Sequence, residues 1–190
     1  MNKIRFVKCL LTAAIFLITA GFVTAENYIV WNKDRPLLWD DFQSKPNSSY
    51  NEGARATTSI LIDFINKTDP FLIEINAVFY PKRSWFRKGY DDDDGLKHEQ
   101  GHFDITEIFA RKFRKQIILS AFSKNNFSKK IEKACVNIRK NLIEYHKLYD
   151  EQTNHYLNKE KQTEWNEKIA NQLIELEKYS NPIVEIKIRK

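Results

Sequence analysis

The segment LKHEQGHFDI, residues 96–105, constrains the chain more than any other stretch. It holds two of the four histidines, His98 and His102, with Glu99 between them. That spacing carries chemistry only on a helix, where His98 and His102 stand one turn apart on one face and both imidazoles can reach a single ion. Glu99 falls about 100° round from His98, so it can approach an open coordination position without filling it. The flanks agree with a helix, since Leu96, Phe103, Ile105, Ile108, Phe109 and Phe113 recur at spacings of three and four. The aspartates Asp91, Asp92, Asp93 and Asp94 suit a helix N-terminus, where Asp caps and the macrodipole favours negative charge. The same run fails as an EF-hand loop. With Gly95 as the required glycine, the first and last ligand positions would be Tyr90 and Gly101.

Around this helix the chain divides by pattern. Residues 1–25 read as a secretory signal peptide: Lys3, Arg5 and Lys8, then the apolar run CLLTAAIFLITAGF, then Val23 and Ala25 at signal-peptidase spacing. Export to the periplasm or the exterior follows, and no later run is long and apolar enough for a membrane span. Residues 26–190 then form a single domain with 28 basic and 25 acidic residues, a net charge of +3 that is too mild for a nucleic-acid partner. Cys9 leaves with the signal and Cys135 stands alone, so a hydrophobic core or a metal replaces disulfides.

From Tyr28 to Phe86 short β-rich bursts (YIVW, TTSILIDF, FLIEINAVFY) alternate with Pro36, Pro46, Pro70 and Pro81, which predicts four or five strands in one antiparallel sheet. Three helices follow, over about 95–122, from near Phe127, and over about 159–179; IVEIKI after Pro182 can be a last strand. The fold class is α+β, a small N-terminal antiparallel sheet packed with three C-terminal helices.

A catalytic zinc usually takes three protein ligands, leaving one place for water. Ile108 stands where a metzincin would have its third histidine. Asp104 lies about 200° from His102 and falls on a stripe with Glu107 and Arg111, a polar ladder that orients the helix behind the metal. His146 and His155 are nine residues apart, half a turn out of phase. His155, near the helix end suggested by Thr153 and Asn154, can be aimed freely; His146 lies beside the apolar stripe through Leu142 and Tyr149 and remains the alternative third ligand. Glu144, Asp150 and Glu151 are weaker candidates.

The stretches HEQGHFDITEIFAR, YDEQTNH and QTEW resemble a bacterial family of exported proteins catalogued as domain of unknown function 922 and described as zinc-dependent proteases; VWNKDRPLLWDDFQ, RATTS and KRSWF resemble its N-terminal blocks. The resemblance implies a zincin-like site with His98, His102 and His155 as ligands and Glu99 as general base. It also matches Asp104, Asp150 and Trp165 without assigning them roles.

The expected function is a secreted zinc metallopeptidase acting on a peptide or protein substrate, with Tyr149 or Tyr156 as oxyanion donor and Asp104 and Asp150 as supporting groups. Two alternatives stand beside it. One is a binding protein in which zinc fastens helices together without turnover. The other is a zinc amidase acting on cell-wall peptides, with Trp31, Trp39 and Trp85 along a groove, although a packing role in the core or at its edge fits each of them better. Oligomeric state is beyond this sequence.

Overall fold

The computed structural model describes residues 27–50, 52–66, 70–123 and 125–189; the signal-peptide reading of residues 1–25 lies outside them. In chain order the strands and helices are β1 (Ile29–Val30), β2 (Ala54–Arg55), β3 (Thr58–Asn66), β4 (Phe71–Phe79), β5 (Trp85–Phe86), α1 (Asp93–Leu119), β6 (Phe122–Ser123), α2 (Phe127–Thr153), α3 (Lys159–Glu175), β7 (Ile183–Ile186) and β8 (Ile188–Arg189). Short 3₁₀ turns lie at Trp39–Asp41, Pro81–Arg83 and Glu177–Tyr179. The α+β class holds. Among the described residues no helix is long and apolar enough to cross a membrane.

The strands do not form the one sheet expected of them. β4 is the centre of a four-stranded antiparallel sheet, flanked by β3 on one side and by β1 and β7 on the other. β2 pairs with β5 apart from it, and β6 with β8 in parallel. β4 is also the most buried strand: Ile73, Ile75, Ala77, Val78 and Phe79 are all buried, and α1 packs across it. β3 alternates instead. Ile60, Ile62 and Phe64 pack against the core, and its outer edge has no strand partner among the described residues. IVEIKI splits between β7 and β8.

α1 starts earlier and stops sooner than its pattern suggested. Asp92 is its N-cap, accepting from the Gly95 amide at 2.6 Å. The helix is sandwiched between β4, α2 and α3, so even its polar residues are buried. The polar stripe divides accordingly. Asp104 accepts from Trp31 Nε1 and Gln100 Nε2, each at 2.7 Å, and makes no bond to Arg111. Glu107 instead accepts from Arg111 Nε and Arg114 Nη1, each at 2.9 Å. Of the ladder expected of Asp104, Glu107 and Arg111, the Glu107–Arg111 rung forms, while Asp104 turns to Trp31 and Gln100 and Glu107 also takes Arg114, because charges in the buried middle of α1 must be satisfied inside.

Arg114 is the hub of that network. It donates from Nε and Nη2 to the Ile75 carbonyl of β4 at 2.9 and 2.6 Å, and from Nη1 to the Tyr179 carbonyl at 3.0 Å. One guanidinium therefore fixes α1 to the middle of the sheet and to the turn after α3. Arg114→Ala leaves Glu107 with Arg111 alone and removes the guanidinium from the Ile75 and Tyr179 carbonyls, and is expected to lower unfolding free energy by about 3–5 kcal/mol in chemical denaturation.

Candidate metal centre

His98 and His102 face α2 across the helix interface, and each ring is held at both nitrogens. His98 is buried and stacked on Tyr149, ring centroids 4.5 Å apart and nearly parallel. Gln162 of α3 donates its amide hydrogens to the Tyr149 hydroxyl at 2.7 Å and to Asn166 Oδ1 at 2.8 Å. Its Oε1 therefore faces His98 Nδ1 at 3.0 Å, and Nδ1–H is the donor of that bond. The lone pair is left on Nε2, which points at Asp150 Oδ1, 3.1 Å away.

His102 repeats the arrangement with different partners. Its Nε2 lies 2.9 Å from the same Asp150 Oδ1, and its Nδ1 lies 2.9 Å from His146 Nδ1. Thr106 Oγ1 donates to the His102 carbonyl at 3.0 Å, so it can accept from His146 Nε2–H at 3.4 Å. His146 then accepts at Nδ1 from His102 Nδ1–H. Burial and the neighbouring His102 charge push the His146 pKa down to about 3, which keeps it neutral and able to accept. His146 thus sits behind the metal-facing side of the site, orienting His102 in the manner of the hydrogen-bond partners that set a ligand's tautomer.

The Asp150 carboxylate completes the centre. Donor atoms of His98, Asp150 and His155 all lie within 4.8 Å of one another. His155 Nδ1 is 3.7 Å from Asp150 Oδ1 and its side chain is half exposed. It arrives through an unusual turn: Asn154, His155 and Tyr156 all have positive φ (48°, 50° and 64°) directly after α2. Asn tolerates this conformation, but His and Tyr do so at a cost of roughly 1–3 kcal/mol each. The turn is stabilised by the Asn158 amide donating to the Thr153 carbonyl at 2.8 Å and by the His155 amide donating to the Asp150 carbonyl at 3.2 Å.

Two imidazole lone pairs and a carboxylate oxygen facing one another at these distances need a positive charge among them. In the metal-free chain a proton supplies it. Burial alone would lower the His102 pKa, but its bond to Asp150 outweighs this and raises it. Burial likewise disfavours the Asp150 carboxylate, but the bonds to His102 and His98 hold its pKa well below the usual range. His98, Asp150 and His155 are the residues that could hold a divalent cation together, whereas His102 lies outside that group and meets it through Asp150 Oδ1 at 2.9 Å.

Glu99 lies on the cleft side of α1, buried, with Oε2 accepting from the Ala56 amide at 2.6 Å. The cleft it borders has a volume of about 410 Å³ and runs between β3 and α2, with His98, His102, Asp150 and His155 at one end. The other proposed groups are placed elsewhere. The Tyr149 hydroxyl is fully enclosed, donating to the His98 carbonyl at 3.3 Å, and burial pushes its pKa up. It cannot reach a substrate oxyanion and instead backs His98. Tyr156 reaches Asp92 Oδ2 at 3.5 Å and does not line the cleft. Neither Trp31, Trp39 nor Trp85 lines it; Trp85 is buried and Trp39 packs on Phe42 and Phe86.

Sequence reasoning gave no role to Gln162, although QTEW stood out as a motif, nor to Gly101. A Cβ on Gly101 would come within 2.3 Å of the Tyr149 hydroxyl, so only glycine allows α2 this close to the paired histidines. A glycine inside an otherwise regular helical pattern was the available signal for that contact.

If His102 holds zinc, the ion must compete with a proton for its ring. Because the His102 pKa is raised in the metal-free chain, zinc affinity measured by competition with a chelating dye is expected to fall as pH drops through that raised value. Affinity unchanged between pH 5 and pH 8 would contradict the ligand role of His102. No known protein family, curated protein or solved structure matches this chain, so the family resemblance rests on the quoted motifs and the function on the chemistry of the site.

Proposed function

We propose that the chain is a zinc-dependent metallopeptidase of zincin-like design, exported by its N-terminal segment. His98, His102 and His155 hold the ion, and Asp150 either shares in holding it or orients the histidines. When bound, zinc supplies Lewis acidity toward a water molecule and toward the carbonyl under attack. Glu99 takes the proton from that water and returns it to the leaving amine. Its Oε2 is tethered by the Ala56 amide, which leaves Oε1 available for proton transfer. His146 and Gln162 keep the two ring tautomers correct, and Tyr149 keeps the His98 ring in place.

The observation that carries this reading is the cleft itself. A carboxylate in the general-base position borders a groove that leads from the paired imidazoles along the open edge of β3. An extended peptide can add to such an edge through main-chain hydrogen bonds, while alternate side chains enter the groove. A purely structural ion would require neither the groove nor Glu99.

One feature favours a second reading. Asp150 Oδ1 lies close to His98, His102 and His155 together, so four protein donors are available to close the coordination shell, as in structural zinc sites. In that case zinc fastens α1 to α2 without turnover.

Glu99→Gln separates the two. The metallopeptidase reading predicts stoichiometric zinc in the variant and a fall in hydrolysis of an unstructured protein substrate of about 10²–10⁴-fold. Wild-type protein that carries zinc but shows no chelator-sensitive hydrolysis, and that unfolds when zinc is removed, would establish the structural reading instead.

A further inference from the structure

The cleft has two chemically distinct ends. The metal end carries Glu99 and Asp150. The other end, towards the start of α2, is walled by Ile60 and Ile62 of β3 and by Ile138, Leu142 and Ile143 of α2. Ile143 is 61% exposed although it sits on the cleft wall. On α2, Arg139, Ile143 and His146 follow at spacings of four and three, so they share a stripe leading to the site. On β3, Thr58, Ile60 and Ile62 share the face opposite.

Arg139 closes this apolar wall. It is half-buried, lines the cleft and has no hydrogen bond or ion pair among the described residues. The other arginine lining the cleft, Arg55, is held by Glu52 through two bonds of 2.6 and 2.8 Å and stacks on Tyr50. A guanidinium beside apolar surface with no partner is complementary to a carboxylate, which it can bind with two parallel hydrogen bonds.

The spacing sets where that carboxylate lies. Arg139 precedes His146, the residue behind the His102 ring, by seven positions, which is about 10 Å along the helix. An extended peptide advances about 3.3 Å per residue. We infer that the cleft selects extended peptides with an aliphatic side chain next to the bond at the metal end and a carboxylate about three residues away, seated on Arg139. The carboxylate is either an acidic side chain or a free C-terminus, since both present the same group. This rests on the peptide-hydrolase reading of the site.

The test uses the zinc-loaded Glu99→Gln protein to read binding and the wild type to read cleavage. Fluorescently labelled peptides carry leucine on both sides of a central bond. One arm places Glu or Gln three residues before that bond and another three residues after it, both with amidated ends. A third arm ends three residues after the bond as free acid or amide. In one arm the carboxylate form is expected to bind about five- to tenfold tighter by fluorescence anisotropy, and that arm identifies its source. Arg139→Glu should reverse the preference toward a Lys peptide of the same arm; its unaltered circular dichroism shows that folding is intact.

Equal binding of both forms in all arms, or a preference that survives Arg139→Glu, overturns the inference. Chelator-sensitive cleavage by the wild type without any carboxylate preference ends this inference and leaves the peptidase reading standing. Preference in binding without cleavage supports the groove and counts against catalysis.

Discussion

Everything about the site depends on where two protons are. Gln162 presents an oxygen to His98 Nδ1, and His146 presents a lone pair to His102 Nδ1. Each ring proton is thereby drawn to the side facing away from Asp150, and both Nε2 lone pairs converge on one carboxylate oxygen. Such a cluster is electrostatically incomplete until a cation joins it. The pKa shifts of His102 and Asp150 in opposite directions are the same incompleteness expressed in protons.

Holding that geometry requires an unusually well-anchored helix. α1 carries both imidazoles and Glu99, and it is fixed at one end by the Asp92 cap and near the other by Arg114 bound to the sheet. Between them the missing side chain of Gly101 lets Tyr149 lie against the helix, back His98 and engage Gln162. The imidazole that arrives after the end of α2 is handled differently. His155 is carried on a turn of consecutive left-handed residues, where local strain is offset by the hydrogen bonds of the helix end. The centre therefore combines two rigidly oriented rings with one exposed, loop-borne ring at the mouth of the cleft.

The parts of this design that were legible in the sequence are those governed by local periodicity. The start of α2, the α1 motif and the strand-rich N-terminal half follow from spacing, and His155 at a helix end was placed by the same reasoning. What periodicity could not reveal was set by packing between distant segments. Asp150 read as a supporting group because its carboxylate reaches the site only once α2 crosses α1. His146 competed with His155 as a ligand because spacing does not show that it faces the far nitrogen of His102. The stripe of Asp104, Glu107 and Arg111 suggested one polar ladder, whereas packing between distant segments splits it, giving Asp104 to Trp31 and adding Arg114 to Glu107 and Arg111. Tyr149 was offered as a substrate-facing hydroxyl, but the close approach at Gly101 buries it.

The central claim is most directly tested by X-ray absorption spectroscopy at the zinc edge on the purified, zinc-loaded chain. The account predicts one tightly bound ion per chain, surrounded only by nitrogen and oxygen near 2.0–2.2 Å, with the multiple-scattering signature of three imidazoles. A chain that retains no zinc after dialysis, or an ion bound by sulfur or by fewer than two imidazoles, would contradict it.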